Sequence, residues 1–138
     1  MENKTFALEI LTSDRKVYSG EVVSFVAPGF EGYFGVLARH APLIAAIGVG
    51  EIRIRTAADE ERLFATSGGF AEVLPNKVTV LSEAAEEATE IDVARAEAAK
   101  DRAMKRLQEG RKAWDVQRAE AALARAMNRL RVAGKVLV

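Results

Sequence analysis

The sequence predicts a two-domain protein in which an all-β sandwich of short strands, close to a flattened barrel, precedes an antiparallel α-helical hairpin. In the first half, Gly and Pro separate segments of β-type alternation, such as residues 6–11. After Ile91, Pro is absent, and Ala, Arg, Glu and Lys dominate. A strand-rich half followed by a helical half packs as two separate units. We therefore expect a sandwich domain at residues 1–84 and a helical domain at residues 85–138.

Strands are predicted where short apolar or alternating runs lie between turn signals. Ile52 and Ile54 alternate with Arg53 and Arg55, the pattern of a strand with one buried and one solvated face. The turn signals are Ser13-Asp14, Pro28-Gly29, Ala58-Asp59-Glu60 and Pro75-Asn76-Lys77. The predicted strands cover residues 6–11, 16–18, 22–27, 32–37, 41–47, 50–56, 62–67, 69–74 and 78–81.

Glycines mark special backbone positions in this half. Gly68 and Gly69 permit conformations or close approaches that other side chains block. The glycines at 29, 32 and 35 do not form a phosphate loop, because no helix and no Lys-Ser/Thr pair follow them.

The helical half shows apolar residues at helical spacing. Asp92 is placed to cap a first helix, and Gly110 with the charged residues after it forms the turn of an antiparallel hairpin. The first helix has a thin apolar stripe of Val93, Ala96, Ala103 and Leu107. The second has a seam of Val116, Ala119, Leu123, Ala126, Leu130, Ala133 and Leu137. Alanine buries little area, so we expect a hairpin that opens at modest cost.

Composition excludes several protein classes. The chain has 138 residues, of which 49% are apolar and 29% charged, as in ordinary globular proteins. It contains no Cys, which excludes disulfides and thiolate metal sites. The longest apolar run, residues 41–49, is far shorter than the roughly 20 residues of a membrane-spanning helix. The first residues lack the apolar core of a secretory signal, so we expect a soluble protein that faces the cytosol.

The net charge of zero hides a basic C-terminal helix. Residues 111–138 hold seven Lys or Arg but two Asp or Glu. This excess fits either a solvated helix face or a docking surface for a nucleotide, an acidic partner or nucleic acid. A nucleic-acid-binding module is therefore one alternative, although aromatic residues for base stacking are not clustered with the charge. A small enzyme with Glu31 and His40 as an acid/base pair is another.

Six sequence blocks resemble the epsilon subunit of bacterial F-type ATP synthases. They occur in the family's order, with the same change from sandwich to hairpin. The blocks are residues 31–37, 40–43, 67–73, 78–81, 91–96 and 125–130. The resemblance covers nearly the whole chain. It implies a non-catalytic subunit of the rotary central stalk, peripheral on the cytoplasmic face of the cell membrane, that couples the catalytic head to the c-ring of a proton- or sodium-translocating enzyme.

The resemblance also assigns roles to the two domains. The sandwich would contact the gamma subunit and the c-ring, with Glu31, Tyr33, Phe34 and His40 at the interface. The hairpin would inhibit ATP hydrolysis by extending towards the catalytic alpha and beta subunits. Tyr33-Phe34 and Ala38-Arg39 depart from the pattern of many relatives. They add aromatic surface and one cation to this rim.

Some thermophilic and bacillus-like members of this family bind ATP in the folded hairpin, and this chain matches their motif. The resemblance implies eight nucleotide-binding residues: Glu86, Ile91, Asp92, Arg95, Ala96, Arg102, Arg125 and Arg129. Ile91 and Ala96 would contact the base, and Asp92 or Glu86 would accept hydrogen bonds from its amino group or from ribose. ATP would be a regulatory ligand that favours the folded hairpin; a Mg²⁺ requirement is left open.

The residues themselves agree with an anion site. Arg95 and Arg102 are seven apart and Arg125 and Arg129 four apart, so each pair shares a helix face. Guanidinium groups grip phosphate oxygens bidentately and repel one another unless an anion lies among them. The alternative is that these arginines only pair with nearby acids such as Glu90 or Asp101. No catalytic or metal site is expected, because the chain has no P-loop and no Walker-type acid.

Overall fold

The computed structural model describes residues 4–110 and 112–136, with only the helical backbone at 113 and 114. Within these residues, nine strands precede two α-helices. The strands are β1 (Phe6–Leu11), β2 (Lys16–Gly29), β3 (Gly32–Val36), β4 (Leu43–Ile47), β5 (Gly50–Thr56), β6 (Glu61–Thr66), β7 (Gly69–Leu74), β8 (Lys77–Ser82) and β9 (Ala85–Glu87). A short 3-10 helix (Ala88–Glu90) leads to α1 (Val93–Glu109) and α2 (Ala113–Gly134).

The strands form one sheet that closes on itself. Its order is β1-β8-β7-β4-β2-β5-β6-β9, with β3 beside β2, and β1 pairs with β2 as well as with β8. The β1–β8 pairing is parallel, whereas the other pairings are antiparallel. The closed path from β1 through β8, β7, β4 and β2 back to β1 confirms the predicted flattened barrel.

Large apolar side chains fill the interior of the sheet. Leu8, Phe25, Ile52 and Phe64 are fully buried, and the edge of the Tyr18 ring packs against Phe64 with ring centroids 5.7 Å apart. The predicted alternation in β5 is confirmed, since Ile52 and Ile54 are buried and the Arg side chains between and after them reach solvent.

Two predicted boundaries in β2 are wrong. The sequence predicts strands at 16–18 and 22–27, whereas β2 is continuous because Gly20 pairs opposite Leu8 of β1 and does not break the ladder. The turn predicted at Pro28-Gly29 lies two residues later, since Pro28 and Gly29 still pair with β3.

Gly69 occupies a position that no other residue could take. Its φ is +147°, and a Cβ added there would lie 2.0 Å from the Leu81 carbonyl oxygen of the neighbouring strand. The predicted close approach at this glycine is confirmed. It allows β7 to begin directly beside the end of β8.

The helices form the predicted antiparallel hairpin. The Asp92 carboxylate caps α1 by accepting a hydrogen bond from the Arg95 amide at 3.0 Å, as predicted. Gly110 ends α1. Most of the buried positions along the two helices are alanines. Leu137 of the predicted seam lies outside the described residues. The buried alanines are Ala96, Ala103, Ala119, Ala126 and Ala133.

The chain divides into two compact units, residues 1–87 and 88–138. The sheet continues past the boundary predicted after residue 84, because β9 pairs with β6. Ala85-Glu86-Glu87 has little β-propensity, so this strand exists through its pairing partner. In the second unit, Asn128 and Val132 of α2 are buried although neither belongs to the predicted seam.

Candidate functional site

Three of the four predicted phosphate-binding arginines lie at similar positions along the hairpin axis. Ala96 lies 13 residues before the end of α1, and Ala126 lies 13 residues after the start of α2, so the two are opposite each other. By the same count, the position of Arg95 along the hairpin axis falls between those of Arg125 and Arg129. Arg102 lies two turns nearer the hairpin turn, about 10 Å along the axis at 1.5 Å per residue.

Helix geometry also puts these four arginines on one side of the hairpin. Each residue turns the helix by about 100°, and the direction of rotation reverses between antiparallel partners. Arg95 and Arg102 each precede a buried alanine on α1, and Arg125 precedes the buried Ala126 on α2. On antiparallel helices, the residues just before those that face the partner helix project to the same side. Arg129, three residues after Ala126, projects to that side as well. The hairpin therefore collects four guanidinium groups along one side.

The other predicted nucleotide ligands have different environments. Asp92 is exposed and already accepts the Arg95 amide hydrogen, so one of its oxygens caps α1. Ile91 and Ala96 are buried, at 9% and 3% exposure. Glu86 lies on β9 in the first unit, paired with Ala65, whereas the other seven residues belong to the second unit.

The hairpin turn forms a cavity that the sequence did not predict. Its volume is about 360 Å³, and cations and carboxylates alternate around it. It is lined by Arg106, Glu109, Gly110, Lys112, Asp115 and Arg118. Arg106 follows Arg102 by four residues and Arg118 precedes Arg125 by seven, so both lie on the same helix faces as the predicted ligands.

The predicted interface residues lie on β3 and in the segments on either side of it. Glu31 is exposed in the β2–β3 turn. Tyr33 is 59% exposed, and its hydroxyl accepts a hydrogen bond from the Glu51 amide at 3.2 Å. Phe34 is half-buried and packs edge-on against Phe25, with ring centroids 6.2 Å apart. The Nδ1–H of the half-buried His40 donates to the Ala41 carbonyl at 2.8 Å, which fixes its tautomer.

An exposed apolar surface on β4, β7 and β8 escaped the sequence analysis. Ile44, Phe70 and Leu81 are 75%, 59% and 58% exposed. Phe70 pairs directly with Ala46 on one side and Leu81 on the other. We call Ile44, Phe70 and Leu81 the apolar face. The uninterrupted apolar run of residues 43–47 was the signal for it, since a strand that is apolar on both faces has an outward surface to cover.

An ion pair joins the last strand of the sheet to β6. Arg62 Nε lies 2.8 Å from Glu87 Oε2, and Arg62 Nη2 lies 2.5 Å from Glu87 Oε1. The guanidinium also stands 4.9 Å from the centre of the Tyr18 ring. The hydrogen bonds to Glu87 raise the pKa of Arg62, and burial raises the pKa of Tyr18.

A second ion-pair group surrounds Glu9 on β1. Its carboxylate lies 2.8 Å from the Lys77 ammonium of β8 and 3.2 Å from the Lys16 ammonium of β2. The hydrogen bond from Lys77, followed by that from Lys16, lowers the pKa of Glu9. Glu9 thus holds β1 to both neighbouring strands.

The described part of the chain has neither a membrane-spanning helix nor a metal-binding cluster. None of its helices combines the length and apolar character needed to cross a membrane. No three His, Asp or Glu side chains among residues 4–110 and 112–136 gather where they could hold a metal ion.

Family models match both units. Residues 5–88 match the β-sandwich domain of the ATP synthase delta/epsilon chain, and residues 89–134 match its long α-helix domain. The chain belongs to the ATP synthase delta/epsilon family. The resemblance to epsilon subunits is confirmed, as is the expectation of a non-catalytic ATP synthase subunit.

Bacterial members of the delta/epsilon family are similar over most of the chain. The ATP synthase epsilon chain of Pelotomaculum thermopropionicum is 55% identical over 107 residues, which cover 78% of this chain and 79% of the relative. The epsilon chain of Syntrophomonas wolfei is 48% identical over 108 residues, with 78% and 79% covered.

A solved structure shares the fold. A chain in the Euglena gracilis mitochondrial ATP synthase complex of OSCP, F1 and c-ring superimposes with a TM-score of 0.77 at 24% identity. The match covers 90% of this chain and 78% of the other. At this identity the match supports the delta/epsilon fold alone.

Proposed function

We propose that this protein is an epsilon subunit in the rotary central stalk of a proton- or sodium-translocating F-type ATP synthase. It would be peripheral on the cytoplasmic face of the cell membrane and couple the catalytic head to the c-ring. The observation that carries this proposal is the match of both units, in order, to the two domains of one ATP synthase family.

The sandwich would serve as the assembly module. The apolar face exposes three large side chains, Ile44, Phe70 and Leu81. Exposed apolar surface of this kind is typical of a site where a partner protein binds. We propose that the gamma subunit binds this apolar face. Tyr33 on β3, with Glu31 before this strand and His40 after it, would contact the c-ring. Phe34 would support this region through its packing on Phe25.

The hairpin would be the regulatory module that inhibits ATP hydrolysis. Its helices meet through alanines, so separation exposes little apolar area. The basic α2 would favour acidic surface on the catalytic alpha and beta subunits in an extended state. The cations on α2 that could make such contacts include Arg118, Arg125, Arg129 and Arg131.

ATP would bind the hairpin as a regulatory ligand. The four arginines on one side of the hairpin provide donors for a triphosphate, and they assemble only while α1 and α2 are paired. Asp92 retains a second carboxylate oxygen for the ligand, because its cap uses one. Glu86 is proposed on the family motif alone. Mg²⁺ would be carried by the nucleotide if it takes part.

Calorimetric titration of the full-length protein with ATP tests the nucleotide proposal. We expect one ATP per chain. Arg95→Ala and Arg125→Ala should each weaken binding about 10- to 100-fold, the worth of a charged hydrogen bond of about 1.5–3 kcal/mol. Lys100→Ala is the matched control, since Lys100 is a cation of α1 two residues before Arg102 and five after Arg95, so the helix turns it towards the opposite side. Equal losses in all three variants would mean that the arginines supply only general positive charge.

A second experiment tests assembly. Phe70→Glu places a charge in the centre of the apolar face and should reduce capture of the gamma subunit at least tenfold. Ala58→Glu adds the same charge in the exposed β5–β6 turn, outside the three strands that form that face, and should leave capture unchanged. Undiminished capture by the folded Phe70→Glu protein would exclude this face as the gamma-binding surface.

A further inference from the structure

The last strand of the sheet has few backbone contacts. β9 contains three residues, which pair with three residues of β6 at the edge of the sheet. Isolated pairing of this length is marginal in water. Side-chain contacts must therefore contribute to keeping β9 in place.

A bidentate ion pair between Arg62 and Glu87 is one of these contacts. Glu87 stands directly opposite Phe64, so it lies on the same face of the sheet as Arg62, two residues away on β6. The two side chains make a bidentate ion pair, with the Glu87 side chain 14% exposed. Because Arg62 also stacks on Tyr18, this pair joins β9 to the aromatic core.

The next residue already belongs to the other unit. Ala88 is 4% exposed and begins the 3-10 helix, in which the Ile91 amide donates to the Ala88 carbonyl at 3.4 Å. Strand β9 ends at Glu87 and the 3-10 helix begins at Ala88, so the last strand of the sheet runs directly into the helical unit. Any rearrangement of the hairpin must turn at this junction or release residues on one side of it.

We propose that the Arg62–Glu87 pair is a latch that sets the reach of the hairpin by controlling release of β9. Release of the three residues of β9 would add about 10 Å of chain at roughly 3.3–3.6 Å per extended residue. Arg62 is then a positioning residue, because it acts on the hairpin through Glu87. Its regulatory consequence rests on the proposed function.

Hydrogen exchange on the full-length protein tests the latch. In Arg62→Gln, amides in a peptide covering residues 83–88 should exchange at least tenfold faster than in the wild type, with β7 and β8 unchanged. Arg62→Lys should fall between, because it keeps the charge but loses the bidentate geometry. Arg55→Gln is the matched control, because Arg55 makes its ion pairs with Asp59 and Glu61, at the β5–β6 turn. Equal exchange in Arg62→Gln and Arg55→Gln would overturn the latch.

Hydrolysis by the reconstituted complex tests the consequence. A longer tether lowers the effective concentration of the hairpin at its docking surface. Inhibition should therefore be at least twofold weaker with Arg62→Gln than with Arg55→Gln. Faster exchange with unchanged inhibition would overturn the regulatory role of the latch. If complexes with and without the wild-type chain hydrolyse ATP equally, the inhibitory function itself fails, while the exchange experiment still decides whether β9 is latched.

Discussion

The sandwich and the hairpin bury different kinds of side chain. The sandwich interior contains Phe25, Phe64 and several leucine, isoleucine and valine residues, whereas the most buried positions along the hairpin are mainly alanines. A large buried side chain contributes about 1.5–3 kcal/mol, several times the contribution of a methyl group. We therefore expect the sandwich to be the more stable unit and the two helices to part at lower cost. The predictions below test this contrast.

The largest effect should come from the sandwich core. Phe64→Ala removes a fully buried ring that packs on Tyr18 and should lower the free energy of unfolding of the sandwich by about 3–5 kcal/mol. Leu123→Ala, in the half-buried hairpin seam, should cost about 1–2 kcal/mol. Urea titration with hydrogen exchange resolved by segment measures both. Similar losses at the two sites would remove the contrast between the units.

ATP should stabilise the hairpin without affecting the sandwich. At a hundred times its dissociation constant, a ligand stabilises the state it binds by about 2.7 kcal/mol. That energy is comparable to the burial that alanines provide, so ATP concentration could decide the hairpin state. We expect slower amide exchange in α1 and α2 with ATP, unchanged exchange in β1–β8, and no slowing in Arg95→Ala. Protection spread equally over both units would contradict a hairpin site.

The Asp92 cap should have a smaller effect, confined to α1. Asp92→Ala leaves the Arg95 amide without its carboxylate partner and should destabilise the helix by about 1 kcal/mol. Asp92→Asn keeps a capping oxygen and should restore most of the loss. Circular dichroism during thermal unfolding compares the two variants. If both lose the same stability, the negative charge and not the hydrogen bond is what stabilises the first turn.

The smallest effect should be the acid sensitivity of β1. The lysines beside Glu9 lower its pKa in the folded protein, so its contribution to stability is present above the pKa of the unfolded chain and is lost as the pH falls through the folded value. Urea midpoints should therefore drop less between pH 7 and pH 3 in Glu9→Gln than in the wild type.

The sequence predicted features that depend on neighbours along the chain. The alternation at residues 52–55, the Asp92 cap and the Gly110 turn all follow from spacing within a few residues. Features that depend on distant residues were missed. Strand β9 is defined by its partner β6, and the Arg62–Glu87 pair joins residues 25 apart.

The candidate sites followed the same division. Helical spacing sufficed to group Arg95 with Arg102 and Arg125 with Arg129, and the hairpin then put both pairs on one side. The apolar face was missed because Ile44, Phe70 and Leu81 become neighbours only through the pairing of three strands.

The parallel pairing of β1 with β8 has a consequence for synthesis of the chain on the ribosome. Leu8 pairs beside Val78, so one edge of β1 stays unsatisfied until nearly the whole sandwich has been translated. An open strand edge can pair with another chain during that interval. The helices that follow need only local contacts, which form quickly. We therefore expect nascent chains to be most prone to aggregation just before residues 77–82 emerge, and least prone once the hairpin is being made.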